Sequence, residues 1–324
     1  MKRLSTIFAA VALTLSGGLS FAQSKYPSEP IRLVVGFAPG GAIDILARTL
    51  ADKMSKGLGQ PIIVENRTGA TGTIAANHVA KSEPNGYTIL MTAPIAHAVV
   101  SVLQAPLPYD ALRDFVPVSN VAELALVLVV HPSVPVRNVK ELIALAKEKP
   151  NQISYGSAGV GAMQHLATEV FSREVGIKLF HVPYKGSAPE LLDLVAGRIS
   201  MSIDNPQTVL PQVKEGKLRA LAVTSKEPWF AAPDLPPLAI AAGLPDFDLK
   251  IYWGVLAPAG TPKDIVSVLN AEIRRALTRD DVKASLAAQG LLTVPSTPER
   301  FGSMRRSAFE TWTTVAVGLK KKPQ

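Results

Sequence analysis

Two stretches of the chain carry residue types whose spacing suits the capture of an anion. Gly36-Phe37-Ala38-Pro39-Gly40-Gly41 lies between an apolar run at residues 31–35 and a helical pattern starting at Ile43. Gly156-Ser157-Ala158-Gly159-Val160-Gly161 lies between a short run at residues 153–155 and a helical pattern starting at Met163. Glycine tolerates positive φ and lets a guest approach the backbone. Unpaired N–H groups and the positive end of a helix dipole then converge on one point, a seat for a carboxylate. One such loop serves equally well as a tight turn with no ligand. That the chain builds the loop twice favours a shared task.

Other chemistry is poorly supported by the spacing. Asp44 either complements the dipole of its helix or accepts from a ligand group or a bridging water. Ser157 stands in Gly-Ser-x-Gly-x-Gly, not in the Gly-x-Ser-x-Gly nucleophile elbow, so a hydrolase using Ser157 and His165 is a weak rival. His78, His97, His131 and His181 show no metal-ligand spacing, and neither loop fits a Walker or dinucleotide fingerprint. No catalytic residue, metal or cofactor is expected.

The elements that must hold the loops follow a repeated order. A strand at 31–35, a helix at 43–56, a strand at 61–66, a helix at 73–81 and a strand at 87–92 form a βαβαβ unit, which calls for a parallel sheet flanked by helices. The pattern recurs with strands at 153–155, 178–182 and 199–203, the last followed by Asp204-Asn205-Pro206. Apolar runs at 124–130 and 249–257 are expected to lie side by side as a two-strand hinge. These readings divide the chain into lobe 1, residues 23–125 and 251–324, and lobe 2, residues 126–250. In open α/β sheets ligands sit at the carboxyl ends of strands, so two facing lobes would set both loops on one cleft.

Composition bounds the compartment. Lys2 and Arg3, an apolar core at residues 7–15 and Ser20-Phe21-Ala22 read as a signal peptide, residues 1–22, cleaved before Gln23. The chain has no cysteine, which excludes disulfides and a lipidated N-terminal Cys. Location in the periplasm is expected. Loss of Lys2 and Arg3 lowers the formal charge from +8 to +6, a modest basic excess that suits an acidic ligand. The basic residues are scattered and not interleaved with aromatics, so no nucleic acid partner is expected.

A family resemblance covers essentially the whole mature sequence. Gly36-Phe37-Ala38-Pro39-Gly40-Gly41 with Asp44, Gly59-Gln60-Pro61, Gly86-Tyr87-Thr88 and Leu107-Pro108-Tyr109-Asp110 carry its first half. Tyr155-Gly156-Ser157, His181-Val182-Pro183-Tyr184-Lys185-Gly186 and Ala257-Pro258-Ala259-Gly260-Thr261-Pro262 carry the second. Together they resemble the Bug-type extracytoplasmic solute receptors of tripartite tricarboxylate transport systems. The resemblance implies an α/β, two-lobed periplasmic-binding-protein type II (Venus flytrap) fold, each lobe a mostly parallel sheet. It implies capture of a small carboxylate or dicarboxylate and delivery to a membrane permease, or to a sensor kinase as co-receptor, by a monomer. It places Phe37, Ala38, Gly41 and Asp44 on the first wall, and Ser157, Ala158, Gly159 and Gly161 on the second. Thr92 and Asp204, at the ends of the third strands, become candidates for the distal end of the ligand. The chain departs from the family at Gly36, Thr68 and Ile203, and in Ala93-Pro94-Ile95-Ala96-His97-Ala98.

Overall fold

The computed structural model describes residues 26–37, 39–40, 42–103 and 106–320. The signal-peptide reading, Ala38 and Gly41 lie outside the described residues. Two sheets organise the rest. The first has the order β11-β4-β10-β3-β1-β2, built from β1 (Ile31–Val35), β2 (Ile62–Asn66), β3 (Thr88–Thr92), β4 (Phe115–Ala125), β10 (Lys250–Pro258) and β11 (Leu292–Thr293). The second has the order β7-β6-β8-β5-β9, built from β5 (Val127–Val130), β6 (Ser154–Ser157), β7 (Phe180–Pro183), β8 (Met201–Asp204) and β9 (Arg219–Val223).

Each sheet contains the expected parallel triplet, β2-β1-β3 and β7-β6-β8. The strands that carry the chain between the sheets add antiparallel pairs, β10 against β3 and β4, and β5 against β8 and β9. The fold is thus two-lobed α/β with mixed sheets.

Local sequence accounts for the flanking helices. In α1 (Ala42–Leu58), Ile43, Leu46, Ala47, Leu50, Ala51 and Met54 recur at helical spacing and are buried against the first sheet. Each fully buried leucine there contributes about 1.5–3 kcal/mol. The remaining helices are α2 (Thr73–Ala80), α3 (Pro94–Leu103), α4 (Val139–Glu148), α5 (Met163–Val175), α6 (Ser187–Val195), α7 (Pro206–Lys214), α8 (Leu238–Ala241), α9 (Lys263–Leu277), α10 (Asp280–Ala287) and α11 (Pro298–Lys320). Helix α4 starts with an N-cap: the Asn138 side chain accepts from the Glu141 N–H, and the Glu141 side chain accepts from the Arg137 N–H just before the cap. Gly176 ends α5 with φ 68°.

The crossing between the sheets is shorter than the sequence suggested. The apolar run at 124–130 is split between β4 and β5 at Leu126. The run at 249–257 is almost entirely β10, paired with β4 from Lys250–Ala125 to Pro258–Phe115. Thr224 joins the two passages. Its Oγ1 accepts from the Leu126 N–H at 2.8 Å and donates to the Leu249 carbonyl at 2.7 Å. Its own N–H donates to the Leu126 carbonyl at 2.9 Å. Both connections therefore meet at one buried threonine.

Candidate functional site

A cavity of about 800 Å³ opens between the two halves. Phe37, Ile43 and Thr71 face it from the first half, and Ala158, Gly159 and Gly161 from the second. Leu124, Ile251 and Trp253, from the two strands that adjoin the crossing, also line it. Phe37 and the second glycine loop are thus brought together. Asp44, Thr92, Ser157 and Asp204 are buried and do not line the cavity.

Asp44 braces the first loop from below. Its carboxylate accepts from the Gly40 N–H and Arg48 Nε, each at 2.9 Å, and from Asn66 Nδ2 at 2.8 Å. The same Asn66 amide donates to the Phe37 carbonyl at 3.0 Å. The hydrogen bond from Arg48, with those from Gly40 and Asn66, holds the Asp44 carboxyl down at about 2. The side chain read as a possible ligand contact is thus buried and bonded to the loop and to α1.

Close by, residues 69–72 form a run of left-handed backbone, with φ of 123° at Gly69, 46° at Ala70, 54° at Thr71 and 87° at Gly72. The two non-glycine residues cost of order 1–3 kcal/mol each. The turn places Thr71 on the cavity wall.

The second loop is stabilised in the same way. Ser157 Oγ accepts from the Gly159 N–H at 3.2 Å and lies 2.7 Å from His181 Nε2. The Gly161 N–H donates to His165 Nδ1 at 3.1 Å. The glycines give the loop its shape, with φ of 133° at Gly159 and 83° at Gly161, but their amides are already used. Among the described residues, the backbone amides of Ala158, Val160, Met163 and Gln164 make no hydrogen bond. The last two belong to the first turn of α5, where orphan N–H groups and the dipole attract an anion. Ser157 is fully buried, and its hydroxyl is engaged by the Gly159 N–H and His181.

Beneath this loop the rings of His165 and His181 stack at 4.2 Å, and Tyr155 continues the stack at 4.8 Å from His181. Burial, then the neighbouring His165, pushes His181 down to about 4. A histidine whose folded pKa is depressed gives stability that is complete above its ordinary value and drains away as pH falls towards the folded one. Lowering the pH from about 6.5 to about 4 is therefore expected to loosen the second loop. His181→Gln keeps a hydrogen-bonding group beside Ser157 without the titration. Its melting temperature relative to the parent protein should rise as the pH is lowered through that window; a pH-independent difference would contradict the assignment.

Thr92 and Asp204 are directed inward. Thr92 Oγ1 lies 2.9 Å from His97 Nε2, and His97 Nδ1 lies 2.6 Å from the Tyr109 hydroxyl. Asp204 accepts from its neighbour Asn205 N–H at 2.6 Å and from Gln164 Nε2 at 2.9 Å. Gln164 also donates to Ser187 Oγ at 3.1 Å. The fully buried Glu190 stands beside Asp204 and under Gly156, where an added Cβ would come within 2.6 Å of Glu190 Cγ. Burial, and then the charge of Asp204, holds the Glu190 carboxyl above the ordinary range.

The sequence reading missed the far wall. In α3, Ile95, Ala96, Val99 and Val100 turn an apolar face to the cavity. The i, i+4 recurrence of Ile95 with Val99 and Ala96 with Val100 was the available signal. Trp253, on the run at 249–257, lines the cavity as well.

Comparisons with known proteins identify the family and the fold. A family profile described as "Tripartite tricarboxylate transporter family receptor" matches residues 46–302. Protein BugT of Bordetella pertussis is 35% identical, over 99% of this chain and 99% of its own. The solved structure of Rpa4515 from R. palustris with adipate is 36% identical at a TM-score of 0.77, covering 90% of this chain and 98% of that one. MatC from Rhodopseudomonas palustris, solved with bound malate, is 32% identical at a TM-score of 0.74, covering 90% of this chain and 100% of that one.

Proposed function

Because this chain belongs to the tripartite tricarboxylate transporter receptor family, we propose that it is an exported binding protein that closes its two lobes on a small organic carboxylate and delivers it to a membrane permease. The observation that carries the reading is a cavity walled by both halves and lined by Ala158, Val160, Met163 and Gln164, residues of the second loop and the start of α5 whose amides are unpaired among the described residues. The acids held by the two solved relatives, adipate and malate, both carry carboxylates. Charge-assisted hydrogen bonds contribute about 1.5–3 kcal/mol each, so three or four offset the cost of association and give micromolar affinity.

In this reading the signal peptide is residues 1–22, lobe 1 is residues 23–125 and 251–324, and lobe 2 is residues 126–250. Closure pivots about Leu126, Thr224 and Leu249, and the ligand favours the closed form by the contacts it gains there. Phe37, Ala38 and Gly41 form the first wall, and Ala158, Gly159 and Gly161 the second. Asp44, Ser157 and Asp204 hold those walls in place. The mature protein works in the periplasm as a monomer, with no cofactor.

Thermal melts of the mature protein across mono-, di- and tricarboxylates test the proposal. A bound acid at 100 times its dissociation constant should add about 2.7 kcal/mol. Absence of stabilisation by every acid, or product formation from an ester, would contradict it.

A further inference from the structure

The cavity wall carries a second message, about the body of the ligand and not its head. Among the described residues that line the cavity there is no Lys, Arg or His, and no Asp or Glu. The α3 wall is apolar throughout, with Ile95, Val99 and Val100, and Trp253 and Leu124 extend it. The polar groups are neutral: Thr71 on the first half, and Gln164, Ser187, Asn205 and Gln207 on the second. Gln164 is already committed to Asp204 and Ser187.

The histidine that falls on the same helix does not help. His97 turns away to Thr92 and Tyr109, and is buried. The two acids near the second wall, Asp204 and Glu190, are buried behind it, do not line the cavity and supply no positive charge to a further carboxylate.

Resting on the carboxylate reading above, we infer that the ligand is a monoanion: one carboxylate on an apolar body, aliphatic or aromatic, whose hydrocarbon lies against α3 and Trp253. An ionised second carboxylate at that wall would be desolvated without a cation to meet it. It binds by taking up a proton instead. A carboxyl of ordinary pKa, near 4.3, is protonated in roughly one molecule per thousand at pH 7.5, so a dicarboxylate loses on the order of a thousandfold in affinity. That loss shrinks tenfold for each unit the pH is lowered.

Isothermal titration of the mature protein with hexanoate, adipate, benzoate, terephthalate and hexanamide tests this. The expected result at pH 7.5 is binding of hexanoate or benzoate, with the matching diacid at least a hundredfold weaker. At pH 6.5 the diacid should recover about tenfold against the monoacid. Val99→Arg, which sets a cation in the apolar wall, should raise adipate to the level of hexanoate. If that variant fails to melt cooperatively, the parent series decides alone. A diacid that binds the parent protein as tightly as its monoacid overturns the inference and leaves the carboxylate reading standing. Hexanamide binding as tightly as hexanoate, or no acid binding at all, overturns the carboxylate reading itself.

Discussion

Replacing Gly159 by valine should abolish ligand binding, by more than a hundredfold, while the protein still melts cooperatively. The glycine sits at φ 133°, a conformation that a β-branched residue adopts only under strain of about 1–3 kcal/mol. A Cβ there would also lie 3.4 Å from the Tyr184 carbonyl. The chain relieves the strain by turning the loop, and the amides of Ala158 and Val160 lose their aim. Gly176→Ala is the control. It has φ 68° with no atom within 4 Å of the added Cβ, and lies at the far end of α5. It should lower the melting temperature comparably and leave affinity unchanged. Unchanged affinity in Gly159→Val would remove the second loop from the site.

Glu190→Gln should make the protein more stable, and increasingly so as the pH rises. The carboxyl of Glu190 is raised by burial and by Asp204, so the folded state prefers it protonated. Its contribution is complete below the ordinary carboxylate pKa and is lost as the pH climbs through the raised value. Glutamine has nearly the same shape and no proton to lose. Parent and variant should be of similar stability near pH 5, with the variant ahead by about 2–4 kcal/mol at pH 8. Chemical denaturation at the two pH values measures this directly. A variant that is weaker at both would show that Glu190 is ionised and paired in the folded protein.

Much of the architecture was legible because it rests on short-range pattern. The runs at 31–35 and 87–92 and the spacing of Ile43, Leu46 and Leu50 identify strand and helix without help from distant residues. Strand β4 was harder to read because Ser119 and Asn120 interrupt its apolar pattern. Both are fully buried and hydrogen-bond to Ser296 and Val294, partners far along the chain. Helix α8 lies in a Pro- and Gly-rich stretch that reads as surface loop, yet Leu238 is fully buried in the core. The extent of the crossing was not legible for a related reason: β10 and a crossing strand have the same apolar composition, and only pairing tells them apart.

At the site, the two glycine loops were legible and their division of labour was not. Glycine spacing marks where a backbone can bend, but it does not say which amides remain open. Ser157 and His165 take the amides of Gly159 and Gly161, leaving those of Ala158 and Val160. Likewise, Asp44 and Asp204 are acidic residues at strand or helix ends whose partners, Arg48, Asn66 and Gln164, turn them inward. Such choices depend on side-chain direction, which composition and period do not encode.

The most direct measurement is an amide-resolved NMR titration of the mature protein with a bound acid and with its neutral amide analogue. The acid should produce its largest shifts at the N–H groups of Ala158, Val160, Met163 and Gln164, and the neutral analogue should leave them nearly unmoved. If the largest shifts fall outside the cavity, or if acid and amide perturb the same groups equally, the capture of a negative charge by the open amides of the second loop is wrong.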